Sequence, residues 1–147
     1  MVTVHIDGAS SGNPGPAGYG LAARDEDGTS LAEGYGYIGE QTNNFAEYCA
    51  LLAALELARK HGWRELRIRS DSQLLVRQVE GSYKVKNDKL RTLHRRARQL
   101  IRFLRVFRIE HVDREENKVA DKLARTALKK KRSEPRGINP ILVKGGC

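Results

Sequence analysis

The chain opens with apolar and polar residues that alternate with a period of two, over residues 2–7 (VTVHID). Such alternation is typical of a β-strand with one buried face. It returns over 19–24 and 30–38, on either side of the turn sequence DEDG, which favours a hairpin. Residues 8–18 are rich in glycine, serine and proline and predict a loop. The first 38 residues are thus expected to form a three-stranded meander.

Beyond residue 41 the apolar period lengthens to that of a helix. Apolar residues recur at helical spacing from Phe45 to Ala58, the sequence TNN at 42–44 offers N-cap chemistry, and Gly62 ends the pattern. A helix is therefore predicted from 42 to 62. The same two patterns predict further strands over 64–71 and 106–111, and further helices over 72–79, 88–104 and 116–131.

The order of these elements, βββαβααβα, predicts an α/β fold with a five-stranded mixed sheet and helices on both faces. Strands one and four are joined through a helix, so they are expected to be parallel neighbours with a right-handed crossover. One domain is predicted over residues 1–132, followed by a tail over 133–147. The tail's apolar residues favour docking on the domain; they are Ile138, Ile141, Leu142 and Val143.

Composition and charge narrow the functional classes. The 147 residues are enough for one domain with its own core. No apolar stretch approaches the ~20 residues that span a bilayer, and none follows Met1 as in a signal peptide, so a cytoplasmic protein is expected. Residues 1–56 carry a net charge of −7 and residues 57–147 one of +16. This division favours an acidic focus for cations and a basic surface for a polyanion.

Four acidic residues are candidates for that focus. Parallel neighbouring strands end at the same sheet edge, so Asp7 and Asp71 are expected side by side. Glu47 follows one turn into the first helix, and Asp121 lies near the start of the last. Clustered carboxylates stay ionised only beside a cation, and oxygen ligands suit Mg²⁺ or Mn²⁺. For any one of them, a helix cap or a solvated strand end is the alternative.

Five short motifs in this order resemble type 1 ribonuclease H. They are DGAS at 7–10, GNPGPAGY at 12–19, TNN at 42–44 with Glu47, SDSQ at 70–73 and ENKVADKLA at 116–124. The resemblance extends from residue 2 to about residue 128. It implies a ribonuclease H-like fold and an endonuclease that hydrolyses the RNA strand of RNA–DNA hybrids. The products it implies are a 5′-phosphate and a 3′-hydroxyl.

The resemblance also implies roles for individual residues. The catalytic and metal-binding acids would be Asp7, Glu47, Asp71 and Asp121, holding two Mg²⁺ ions with Mn²⁺ as a substitute. His111 would assist proton transfer or product release, unless it is merely a strand-end residue. Substrate-binding residues would be Asn13, Thr42, Asn43, Asn44 and Gln73, with Thr42 near a DNA phosphate. The pair Asn43-Asn44 could instead cap the helix, and both roles can coexist.

The chain departs from many bacterial members in lacking a separate basic helix and loop between strands four and five. The short form resembles archaeal and some bacterial members. Residues 84–108, with ten bases and one acid, are candidates to compensate, and Arg95, Arg98 and Arg102 lie off their apolar stripe. That side of the helix could equally be a solvated face.

A non-catalytic domain of the same fold that binds hybrid or duplex RNA is the alternative function. It predicts that one of the four acids is missing, and all four are present. The expected partner is an RNA–DNA hybrid, with no membrane, no obligate protein partner and a monomeric state. Cys49 and Cys147 either form a disulfide or remain a packed core thiol and a loose end.

Overall fold

The computed structural model describes residues 1–131 and the backbone of residues 134–136. Six strands form one sheet: β1 (Val2–Ser10), β2 (Gly15–Arg24), β3 (Ser30–Gln41), β4 (Glu65–Ser70), β5 (Val106–His111) and β6 (Glu134–Arg136). The helices are α1 (Asn43–His61), α2 (Gln73–Glu80), α3 (Asp88–Ile101) and α4 (Lys118–Lys130). A 3₁₀ turn over Arg114–Asn117 leads directly into α4.

The sheet has the strand order β5-β4-β1-β2-β3-β6. Strands β1, β2 and β3 form the antiparallel meander, while β4 is parallel to β1 and β5 is parallel to β4. The predicted five strands, their mixed directions and the parallel pairing of strands one and four are therefore confirmed. The short β6 adds a sixth strand, antiparallel to β3, within the segment predicted to be a tail.

Several predicted boundaries differ from those observed. Most of the expected loop over 8–18 is strand, because β1 and β2 continue their pairing as far as Ser10 opposite Ala17. The third helix ends at Ile101 rather than at residue 104. The last helix starts with a 3₁₀ turn and is α-helical only from Lys118.

Helix α1 is the centre of the core and is buried along most of its length. Alternate residues of the neighbouring strands β1 and β4 face this helix and are fully buried, including Val4, Ile6, Leu66 and Ile68. Complete burial of such a side chain contributes roughly 1.5–3 kcal/mol. As predicted, α1 starts at a capping residue, because Thr42 Oγ1 accepts a hydrogen bond from Phe45 N–H at 3.2 Å.

The helices cover the two sides of the sheet unequally. Helices α1, α2 and α3 lie on one side, and α4 packs on the other against β1, β2 and β3. Helices on both faces were predicted, but on the α4 side no described helix covers β4 and β5. That part of the sheet carries the side chains of Arg67 and Arg69, each about one-third exposed.

Among the described residues, no helix is both long and apolar enough to cross a membrane. Cys49 is completely buried in α1. Cys147, expected either to pair with Cys49 or to be a loose end, and the docking segment with Ile138 and Ile141–Val143 lie outside the described residues. The state of the two cysteines and the docking of this segment are therefore still predictions.

Candidate active site

Three carboxylates meet where β1 separates from β4. Asp7, Glu47 and Asp71 each place one carboxylate oxygen within 4.8 Å of the others. The β1–β4 pairing ends with Ile6 opposite Ser70, so the next residues on both strands are the two aspartates. Glu47 reaches the same point from α1, just past its first turn. Asp7 and Glu47 are buried, and Asp71 is half-buried.

The glycine after Asp7 explains how Glu47 comes so close. A Cβ atom at Gly8 would overlap the backbone of Ala46 and Glu47. Only glycine allows the first turn of α1 to lie directly on β1. The Asp-Gly pair of the first motif therefore supplies both a carboxylate and the space for its neighbour.

A second glycine brings the fourth acid to the pocket. Gly20 of β2 pairs with Asp7 of β1, and a Cβ there would overlap Ala120 O of α4. Helix α4 thus lies against the strand backbone, and its next residue, Asp121, is close enough to Asp7 for a hydrogen bond. Asp121 lies outside the group of three, and its Oδ2 is 2.9 Å from Arg125 Nη2.

The electrostatics of this cluster are unfavourable without a cation. Burial, the charge of Asp71 and hydrogen bonding to Asp121 raise the pKa of Asp7 to about 8. Burial, followed by the charges of Asp7 and Asp71, raises the pKa of Glu47 well above its usual value. The buried Oε2 atom of Glu47 has no hydrogen-bond partner. An all-oxygen donor set with an unpartnered buried oxygen fits a divalent metal ion.

The carboxylates line a cavity of about 550 Å³ together with polar residues from several elements. Asn43 and Asn44 border it at the start of α1, and Arg114 borders it on the 3₁₀ turn. His111 also lines it. This residue is the last of β5 and pairs in register with Ser70, so it is a strand-end residue that faces the acids.

A neighbouring groove of about 590 Å³ holds two more of the predicted substrate-binding residues, Asn13 and Thr42. Asn13 Oδ1 accepts a hydrogen bond from Asn43 N–H at 3.0 Å. Thr42 and Asn13, rather than the side chains of Asn43 and Asn44, therefore cap this end of α1. Asn44 lines both cavities. Gln73 lies apart from them as the exposed first residue of α2.

The groove also contains residues that sequence reasoning missed. Asn87 and Lys89, at the start of α3, line it opposite Thr42. Their only signal in the sequence is their place in the basic segment 84–108. Arg98, further along α3, donates from Nη2 to Val79 O at 2.9 Å and is thereby held against α2.

Asn117 was also missed as an individual residue, although it belongs to the last motif. It is 1% exposed, and its Nδ2 donates to Ile6 O at 2.8 Å. Ile6 precedes Asp7, and Asn117 precedes α4, which carries Asp121. One hydrogen bond therefore ties together the two elements that bear these acids.

Replacing Asn117 by Ala should destabilise the protein by about 1–3 kcal/mol, because Ile6 O would be left buried without its donor. Chemical denaturation of the metal-free protein measures this loss. Asn117→Asp is the matched variant, since it keeps the volume and removes the donor. If Asn117→Asp were as stable as the parent chain, the hydrogen bond would not be the source of the effect.

The sequence is similar to those of several known proteins. A family model described as "Reverse transcriptase-like" matches residues 5–127. Ribonuclease HI of Halobacterium salinarum is 45% identical over 127 residues, which cover 86% of this chain and 64% of that protein. The chain belongs to the type 1 ribonuclease H family.

Solved structures of this ribonuclease H family agree with the assignment. The crystal structure of RNase H1 from Halobacterium salinarum is 44% identical, with a TM-score of 0.85 over 88% of this chain and 98% of that one. LC11-RNase H1 in complex with an RNA/DNA hybrid is 39% identical, with a TM-score of 0.85 over 89% of this chain and 99% of that one. The chain spans less than two-thirds of its Halobacterium relative and 35% of a bifunctional protein of Mycobacterium tuberculosis.

Proposed function

We propose that the chain is a metal-dependent endonuclease that hydrolyses the RNA strand of RNA–DNA hybrids and leaves a 5′-phosphate and a 3′-hydroxyl. The observation that carries this proposal is the buried group of Asp7, Glu47 and Asp71, with its unpartnered Glu47 oxygen. Family membership supports it, as does the similarity to LC11-RNase H1, which was solved with an RNA/DNA hybrid.

Asp7, Glu47 and Asp71 would hold Mg²⁺, two ions for each site, with Mn²⁺ as a substitute, and Asp121 would complete the set from α4. When bound, such ions supply Lewis-acid stabilisation of the phosphate and a water of lowered pKa. The chain supplies rigid placement: Asp7 lies within a central strand, and Glu47 lies on a buried helix turn. Arg125 holds the Asp121 carboxylate at the edge of the group.

We infer that His111 is the residue that moves a proton. It is exposed at the end of β5 and borders the cavity across from Asn43 and Asn44. An imidazole can take up and release a proton without leaving its position. We assign it to proton transfer at the rim or to product release, with the four acids as the catalytic centre.

Substrate recognition would come from amide and hydroxyl side chains. Asn43 and Asn44 border the acid cavity, Asn13 and Thr42 line the neighbouring groove, and Gln73 is exposed at the start of α2. Amides both donate and accept hydrogen bonds, which suits the 2′-hydroxyls and sugar edges of a minor groove. Contacts of this kind leave the bases unread, so little sequence specificity is expected.

Cleavage assays on a labelled hybrid, duplex RNA and duplex DNA test the proposal. With Mg²⁺, the hybrid should be cut and duplex DNA should not, and a chelator should abolish cleavage. A chain that shifts the hybrid on a gel with and without Mg²⁺, and cuts it in neither case, would instead be a binding module.

Replacing Lys89 by Ala should weaken hybrid binding more than replacing Arg102. Lys89 lines the same groove as Thr42, whereas Arg102 follows 13 residues later, about 20 Å along the helix axis. Loss of one phosphate contact should lower the slope of log affinity against log salt by about 0.9. Measurement of KM and of this slope for both variants tests the placement, and equal slopes would contradict it.

A further inference from the structure

The part of the sheet that α4 leaves uncovered carries a row of arginines. Arg24 of β2, Thr3 of β1, Arg67 of β4 and Arg108 of β5 lie directly opposite one another in register. Residues paired in this way share one face of a sheet. We call the surface formed by Arg24, Arg67, Arg69 and Arg108 the arginine face.

The positive charge of this face is not balanced by its acids. Glu110 is the carboxylate among the arginines, and its Oε1 lies 3.1 Å from Arg67 Nε and 3.5 Å from Arg69 Nε. The two guanidinium groups thus share one carboxylate as their counter-ion. Arg67 Nε is also buried and lacks a well-aligned hydrogen bond despite that short distance. Glu110 does not neutralise the four arginines, so positive charge remains available to a ligand.

The face has room for a ligand. A cavity of about 450 Å³ opens on it, lined by Arg24, Arg67 and Arg69 together with His5. Burial, followed by the charges of Arg69 and Arg24, lowers the pKa of His5. Two carboxylates also line this cavity: Asp25 accepts hydrogen bonds from the N–H groups of its own turn, and Glu26 is paired with the terminal ammonium group. Three arginines with a neutral imidazole suit an anion, and guanidinium groups pair well with phosphate.

The arginine face is continuous with the acid cavity. Strands β4 and β5 run from it towards Asp71 and His111, and Arg69 is two residues from Asp71, roughly 7 Å along the strand. Arg114 lies at the near rim of the acid cavity. Asn13 and Thr42 border the other side, at the start of α1. The acids therefore lie between two surfaces that can bind phosphate or sugar.

We propose that the arginine face binds the phosphate backbone of the RNA strand where it continues, single-stranded, beyond the hybrid held at the acid cavity. This inference rests on the proposed function. RNA is the strand assigned here because the strand that is cut is the one that passes the carboxylates. Its continuation past Asp71 then meets Arg69 first, and Arg67 and Arg108 after it.

Binding measurements with the Asp7→Asn variant test this inference without cleavage. The probes are a short hybrid with flush ends, the same hybrid with a single-stranded RNA extension at its 5′ or its 3′ end, and the same hybrid with a single-stranded DNA extension of equal length. An RNA extension at one end should tighten binding about tenfold. Two additional phosphate contacts should raise the slope of log affinity against log salt by about 1.4, at about 0.7 for each phosphate of a single strand.

Arg67→Ala combined with Arg69→Ala should abolish this gain and leave binding of the flush hybrid unchanged. Lys60→Ala combined with Arg64→Ala is the control, because it removes the same charge near the distal end of α1. If the first double variant fails to fold, Arg69→Gln with Arg108→Gln provides the same measurement on the exposed part of the face.

The inference is overturned if no RNA extension tightens binding, if only a DNA extension does, or if the gain survives loss of the arginines. A gain that the control variant also loses would show a general charge effect and would overturn it as well. Failure of the proposed function is distinguishable, because it would appear as an absence of cleavage of the flush hybrid by the parent chain.

Discussion

Replacing Asp7 by Asn should reduce cleavage of the hybrid by at least about 1,000-fold, a barrier increase of about 4 kcal/mol. Asp7 is the central member of the acid cluster: it is buried, lies next to Glu47 and Asp71, and is within hydrogen-bonding reach of Asp121. The amide keeps the size of the side chain and removes the charge that a divalent ion needs. Steady-state kcat with saturating Mg²⁺ is the measurement.

The control for this prediction is Asp27→Asn, which removes one exposed carboxylate in the turn between β2 and β3. It should cleave as the parent chain does. Circular dichroism and thermal unfolding of both variants separate loss of chemistry from loss of fold. If Asp7→Asn kept more than about one-tenth of the parent kcat, a loss of under ~1.4 kcal/mol, the catalytic assignment of Asp7 would be wrong.

Much of the site could be predicted from the sequence because it depends on short-range rules. The period-two pattern before Asp7 and before Asp71, with a helix between the strands, predicts two parallel strands that end together. The register of Ile6 with Ser70 confirms this. Glu47 and Asp121 were candidates from their places on two helices, and the resemblance to ribonuclease H assigned them to the same site. The structure supplies the physical reason, which is the close helix approach allowed by Gly8 and Gly20.

Other features depend on contacts between residues far apart in the chain. The hydrogen bond from Asn117 to Ile6 O joins residues 111 positions apart, and no local pattern specifies it. The lateral position of α4, over β1–β3 rather than over β4 and β5, is equally absent from the order of elements. For this reason the arginine face could not be predicted, although alternation places Arg67 and Arg69 on one side of their strand.

The pH dependence of folding without metal should reveal the free-energy cost of bringing these carboxylates together. The pKa of Asp7 is about 8 in the folded protein, whereas an unfolded aspartate ionises near 3.8. Between these values the folded state binds a proton that the unfolded state does not, so metal-free stability falls as the pH rises from about 4 to about 8. Glu47, whose pKa is also raised, acts in the same direction.

Urea unfolding in a chelator, at intervals from pH 5 to pH 8.5, measures this effect. The parent chain should lose about 2–4 kcal/mol over that range. Asp7→Asn should lose less stability over this range and should be more stable than the parent at pH 8.5. Its amide stays neutral, whereas the buried Asp7 carboxyl of the parent releases its proton and becomes charged. Mg²⁺ at about 100 times its dissociation constant should restore about 2.7 kcal/mol to the parent and less to the variant. Parallel stability curves for the two proteins in chelator would mean that Asp7 is not held in an unfavourable ionised state. The repulsion between these carboxylates could then not be what favours binding of a cation.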